Sequence, residues 1–165
     1  MFLALSWLLV LLLVVTPSWA EEYIGTVVSI LDGDTIEVMH NQHPERIRLY
    51  AIDCPEKGQA FGKRAKQATS ALVFAKRVSL QTHGKDKYGR TLGDVLLSDG
   101  TNVNHALVKA GWCWWYRKYA PGDTMLERLE KEAREAKNGL WVDPSPIPPW
   151  EWRRGRVKEG HARIH

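Results

Sequence analysis

Residues 23–31, YIGTVVSIL, are rich in β-branched side chains and stop at DGD, a pattern that predicts a strand followed by a tight turn. Residues 35–39 alternate, with Ile36 and Val38 on one side, before HNQHP opens a second loop. Alternation resumes over residues 45–53, where Ile47, Leu49 and Ala51 share the apolar face. Three strands joined by short turns predict an antiparallel meander. The period then changes: Phe61, Ala65, Ala68 and Leu72 recur at helical spacing, while Lys63, Arg64 and Lys66 fall elsewhere on a solvated face. Residues 77–82 and 91–97 read as two further strands around HGKDKYGR. A second helix is marked by Val103, Ala106, Leu107 and Ala110. A third follows Asp123 as N-cap, with Leu126, Leu129, Ala133 and Ala136 as its buried stripe and Gly139 beyond its end.

Five short strands with a helix between the third and fourth are too few for a sandwich. They predict a mixed β-barrel with helices, the five-stranded OB-fold with three helices, an architecture that commonly binds oligonucleotides. From residue 144 onward the chain is rich in proline and basic residues without an apolar period, which predicts an extended segment leading into a mobile tail. Its Arg153, Arg154, Arg156 and Lys158 are suited to loose, salt-sensitive phosphate contacts.

The chain has 165 residues, room for one domain and tails. The apolar run over residues 2–15 is short for a membrane span and precedes Ser18, Trp19 and Ala20, a small-x-small pattern. We read residues 1–20 as a signal peptide, residues 21–143 as the folded domain and residues 144–165 as a Pro-rich, basic tail; an uncleaved anchor is the alternative. Either reading exports the domain, and cleavage would leave no stable membrane span. The balance of 23 basic against 19 acidic residues, a net +4, suits a polyanionic partner without requiring one. In an exported chain the two cysteines, Cys54 and Cys113, are candidates for a disulfide, but spacing alone leaves both the bonded and the free state open.

Candidate chemistry gathers in IRLYAIDCPE, residues 47–56. Parity places Asp34 with Ile36 and Val38, and Asp53 with Ile47, Leu49 and Ala51, so both acids point inward where their strands end. Two inward carboxylates repel unless a cation pairs them, and Ca²⁺ tolerates the loose geometry of carboxylate, carbonyl and water. Taken singly, each acid also reads as an ordinary turn residue. Arg48 is off this parity, so a bulge or barrel curvature is needed to bring it to the acids. The six histidines lack metal-ligand spacing, and no serine or cysteine has a nucleophile's context.

The segments LDGDT, RIRLYAIDCPE, DKYGRTLGDV, VNHALVKAG and YAPGD lie in order within residues 23–142, and together they resemble the staphylococcal nuclease (thermonuclease) family. The resemblance implies that Arg48, Glu56 and Arg90 are catalytic. It implies that Asp34, Asp53 and the backbone carbonyl of Cys54 bind one Ca²⁺ with Asp32 in support, and that Tyr88 and Tyr119 contact substrate. Cys54 stands where the family usually has threonine, and Arg117 where it has a second nucleotide-packing tyrosine. The implied activity is calcium-dependent hydrolysis of DNA, and of RNA, with little sequence preference, leaving a 3′-phosphate and a 5′-hydroxyl. Nothing in the pattern calls for a dimer, so a monomer is expected. The rival reading is a non-catalytic OB module that binds oligonucleotides or a protein. Such a module has no physical need for Asp34, Arg48, Asp53, Glu56 and Arg90 together, and that set favours the enzyme.

Overall fold

The computed structural model describes residues 22–162, with side chains as far as residue 155. The leader reading, residues 1–20, lies outside the described residues. Strands β1 (Glu22–Ile30), β2 (Thr35–His40) and β3 (His43–Leu49) form the antiparallel meander expected from their alternation. The third strand does not run on to residue 53. Ala51 takes a left-handed conformation with φ +62°, and the chain resumes as the two-residue strand β4 (Ile52–Asp53).

Helix α1 (Gly62–Val73) leads into β5 (Arg77–Lys85) and β6 (Thr91–Leu96). β6 lies parallel to β3, β5 lies antiparallel to β1, and the barrel closes in the order β1-β2-β3-β6-β5. This is the mixed five-stranded OB-fold barrel. Inward-facing Val27, Ile36, Val38, Ile47, Leu49, Val78, Leu80 and Val95 are all buried and belong to one core cluster with Ala65 and Val73 of α1.

Helix α2 (Val103–Lys109) follows, then β7 (Trp114–Trp115), which pairs with β4, and helix α3 (Thr124–Glu135). Asp123 caps α3 by accepting the backbone N–H of Leu126 at 2.9 Å. Gly139 starts a short 3-10 turn, Gly139–Val142.

A fourth helix corrects the three-helix expectation. α4 (Pro149–Ala162) occupies most of the segment read as an extended, mobile tail. Its lack of periodicity hid it, because Trp150 rather than an apolar stripe docks its first turn. Trp150 stacks on Tyr116 with ring centres 5.4 Å apart and meets Trp114 edge-on at 5.7 Å. Pro149 suits a first helical position, where its missing N–H leaves no bond unmade. Upstream, Gln59 ties the approach to the body by donating Nε2–H to the Ile147 carbonyl at 2.7 Å.

Two close approaches set the rim of the barrel. A Cβ on Gly62 would lie 2.1 Å from the Glu56 carbonyl oxygen, so only glycine lets α1 begin hard against that loop. A Cβ on Gly33 would meet the Cys54 Cβ at 2.7 Å. Gly62→Ala is therefore expected to lower stability by about 1–3 kcal/mol through overpacking against backbone. Denaturant unfolding checks this, and an unchanged midpoint would contradict the close packing.

Candidate active site

The break in the third strand builds the site. With β3 ending at Leu49 and the chain reversing at Tyr50 and Ala51, Asp53 comes up beside Asp34 at the mouth of the barrel. Asn104, buried on α2, holds that reversal by donating to the carbonyls of Tyr50 at 3.0 Å and Gly93 at 3.2 Å while accepting the Val95 N–H at 3.3 Å. This gives the VNHALVKAG segment a structural task.

Arg48 sits opposite Thr35 in the β2–β3 register and is 11% exposed. Its guanidinium pairs with Asp34 Oδ2 at 3.1 Å and Asp53 Oδ1 at 3.0 Å, and donates to the carbonyls of Leu49 at 3.1 Å and Ile52 at 2.9 Å. The side chain thus reaches the acids although strand parity points it elsewhere, because the chain curls around it. Asp34 Oδ2 also accepts the Cys54 N–H at 2.7 Å, Oδ1 accepts the Thr35 hydroxyl at 3.2 Å, and the Asp34 N–H donates to Asp32 at 3.1 Å. Burial pushes the Asp34 carboxyl well above the usual carboxylate range. Arg48 and the Cys54 amide oppose that shift, while Asp32 and Asp53 add to it.

Asp53 is 1% exposed. Both of its oxygens accept from Arg153 of α4, Oδ1 at 3.2 Å and Oδ2 at 2.7 Å, and Arg153 Nη1 donates to Glu56 as well. Those two carboxylates raise the Arg153 pKa against the opposing effect of its partial burial. Glu56 is placed by its own N–H, which donates to Gln59 Oε1 at 2.9 Å.

Across the mouth, Arg90 Nε is held by Asp86 Oδ2 at 2.7 Å. Asp86 also accepts the backbone N–H groups of Tyr88 at 2.8 Å and Arg90 at 3.0 Å. Burial alone would raise the Asp86 pKa, but these bonds outweigh it and hold the carboxyl below its ordinary value. Tyr88 is 72% exposed and Tyr119 49%. One cavity of about 580 Å³ is lined by Asp32, Asp34, Arg48, Glu56, Tyr88, Arg90 and Tyr119 together, while Asp53 is buried and does not line it.

Cys54 and Cys113 are joined by a disulfide. The ladder explains how: β4 pairs Asp53 with Trp114 and Ile52 with Trp115, so the next residues outward, Cys54 and Cys113, fall opposite each other. Arg117 does not line the cavity; it lies over the Trp115 ring at 4.2 Å and pairs with buried Glu130 at 3.0 Å.

Several lining residues were not assigned to the site from sequence, Tyr116, Tyr50 and Arg153 among them. Tyr116, one of a run of rings, lines the cavity and meets Tyr119 edge-on at 4.9 Å. Tyr50 lines it too and donates its hydroxyl to the Tyr119 carbonyl at 2.9 Å. Arg153 came from a segment read only as a loose phosphate contact, and no local signal tied it to Asp53.

Among the described residues, no three Asp, Glu, His or Cys side chains already converge as a metal cage. The donor chemistry nevertheless fits a hard cation: Asp34, Asp53 and Glu56 offer only oxygen, and positive side chains are already drawn to them.

A polar cavity walled by arginines and carboxylates at the mouth of an OB-fold barrel defines a protein that handles phosphate esters. Residues 46–143 match the family described as Staphylococcal nuclease homologue. The chain is 46% identical over 154 residues to the micrococcal nuclease of Shigella flexneri, with 88% of each protein covered. It is 46% identical over 145 residues to an uncharacterized endonuclease of Escherichia coli O157:H7, covering 88% of this chain and 94% of that one. Protein ParB of Escherichia coli is 46% identical over 155 residues, with 88% of this chain and 87% of ParB covered. The chain belongs to the staphylococcal nuclease homologue family, a family of phosphodiester-hydrolysing nucleases.

The disulfide closes a separation of 59 residues, a loop for which chain entropy gives about 4 kcal/mol. Replacing both cysteines by serine is expected to lower unfolding free energy by about 2–4 kcal/mol. Chemical denaturation of the pair variant measures it; a loss below about 1 kcal/mol would mean that the β4–β7 ladder holds its register without the bond.

Proposed function

We propose that the chain is an exported, calcium-dependent nuclease that acts as a monomer on DNA and RNA with little sequence preference. The observation that carries the reading is the meeting of Arg48, Glu56 and Arg90 around one cavity that Asp34 also lines, with Asp53 paired to Arg48. The cavity offers arginines and exposed tyrosines to phosphate, sugar and ring. Among the described residues no helix is long and apolar enough to cross a membrane.

Asp34, Asp53 and the Cys54 carbonyl are the proposed Ca²⁺ ligands, with Asp32 supporting Asp34. When bound, the ion supplies positive charge against the phosphoryl oxygens. The remaining chemistry belongs to side chains. Glu56 accepts a proton from the attacking water, whose oxygen forms the new bond to phosphorus. The bond from phosphorus to the 5′-oxygen breaks, the 5′-oxygen takes a proton from solvent, and a 3′-phosphate remains. Arg48 and Arg90 neutralise charge gathering on the phosphoryl oxygens; their planar forks suit that task in a way that an ammonium does not. Tyr88 and Tyr119 contact the phosphate and nucleotide from the open side.

Degradation of plasmid and single-stranded DNA is measured with protein lacking residues 1–20, in Ca²⁺, in Mg²⁺ and in chelator. Fast loss of substrate in Ca²⁺, absent in chelator, is expected. Glu56→Gln should be slower by about 10²-fold or more, and Arg48→Lys by about 10²- to 10³-fold. Retardation of DNA in a gel without cleavage in any metal would contradict the enzyme and leave an oligonucleotide-binding barrel.

A further inference from the structure

Helix α4 brings a guanidinium to the same acids that the proposed ion needs. Arg153 Nη1 and Nη2 fork onto Asp53 Oδ1 and Oδ2 at 3.2 and 2.7 Å, and Nη1 also bonds Glu56. Asp53 is otherwise held at Oδ1 by Arg48, at 3.0 Å, and is shut off from solvent. A divalent cation at Asp53 would require lone pairs that the guanidinium hydrogens occupy, and would set two like charges side by side in a partly desolvated place. The fork and the cation exclude each other at this carboxylate.

We propose, building on the calcium reading above, that Arg153 is a tethered counter-ion. It holds Asp53 and Glu56 in place until a divalent cation takes Asp53, and that entry expels it into the substrate cavity. Three observations fit this role for a positioning residue. The Arg153 side chain is 42% exposed and the residue lines the cavity beside Arg48, so a displaced guanidinium has open space in front of it. The helix does not depend on the fork, because Trp150 packs against Tyr116 and Trp114, and Gln59 holds Ile147. Release also leaves free the Glu56 oxygen that the guanidinium otherwise occupies. Cation binding and exposure of the proposed base thereby become one event, and the released arginine faces the place where a phosphate would lie.

The test is calorimetric titration of Ca²⁺ alone, without substrate, into the wild-type chain and the Arg153→Met, Arg153→Lys and Arg154→Met variants. Arg154 is the exposed neighbour on the same helix, and its loss removes the same charge. Arg153→Met should bind Ca²⁺ about tenfold more tightly, the gain expected when a site open about a tenth of the time becomes fully open. Arg153→Lys should fall between that variant and the wild type, and Arg154→Met within about twofold of the wild type. In chelator the Arg153→Met melting temperature should drop, and Ca²⁺ should raise it by more than it raises that of the wild type. Equal or weaker Ca²⁺ binding by Arg153→Met overturns the proposal, as does an equal gain in Arg154→Met. If none of the chains binds Ca²⁺, the calcium reading falls with it; if all bind alike and wild type still cleaves DNA in Ca²⁺, only the counter-ion role is lost.

Discussion

Two buried carboxylates at the mouth of a barrel, Asp34 and Asp53, with Glu56 tied to Asp53 through Arg153, are the constraint on which the rest of this protein is arranged. Asp34 and Asp53 are buried there, and burial alone pushes the Asp34 carboxyl toward its neutral form. Such a cluster persists only with positive charge in contact. Arg48 answers from inside the barrel wall and Arg153 from the C-terminal helix, each through more than one bond. A barrel built for core stability alone would fill this mouth with apolar side chains, because buried ion clusters seldom stabilise more than well-packed hydrocarbon does. The arrangement makes physical sense in a phosphodiester-hydrolysing nuclease, whose arginines must meet the negative charge of a phosphate.

Much of the scaffold serves to hold those acids in register. The left-handed turn at Ala51 sends the chain back so that Asp53 lies beside Asp34, and Asn104 fixes the turn by donating to the Tyr50 carbonyl and to the Gly93 carbonyl of neighbouring β6. Beyond Asp53 the two-stranded ladder and its disulfide keep the Cys54 amide on Asp34 Oδ2. The Gly62 contact presses α1 against the loop that carries Glu56. Thr69 adds a clamp from the same helix by donating its hydroxyl to the Gly33 carbonyl at 2.5 Å, just ahead of Asp34. The turns, helix starts and disulfide are coupled parts of one rim.

The barrel was legible because alternation and helical spacing are local properties, and five strands with an intervening helix leave few ways to bury their apolar faces. The two acids are buried as expected, but Asp53 not by parity with Ile47, Leu49 and Ala51: the strand breaks at Ala51 and β4 carries Asp53 inward separately. Arg48 was not legible: parity sends it outward, and only the curl of residues 49–52 around its guanidinium brings it to Asp34. The union of Cys54 with Cys113 needed the β4–β7 register, which joins segments far apart in sequence. Helix α4 was hidden for a different reason. It is anchored by Trp150 rather than by an apolar stripe, so the pattern that reveals amphipathic helices is absent, and Arg153 was invisible as a partner of Asp53.

The most direct measurement is a crystal structure of the full folded domain, α4 included, grown with Ca²⁺. The expected result is one ion held by Asp34 and Asp53, with the Arg153 guanidinium withdrawn from Asp53 and from Glu56. An ion bound elsewhere, with Arg153 still forked across Asp53 at saturating Ca²⁺, would contradict the assignment of these carboxylates as the cation site.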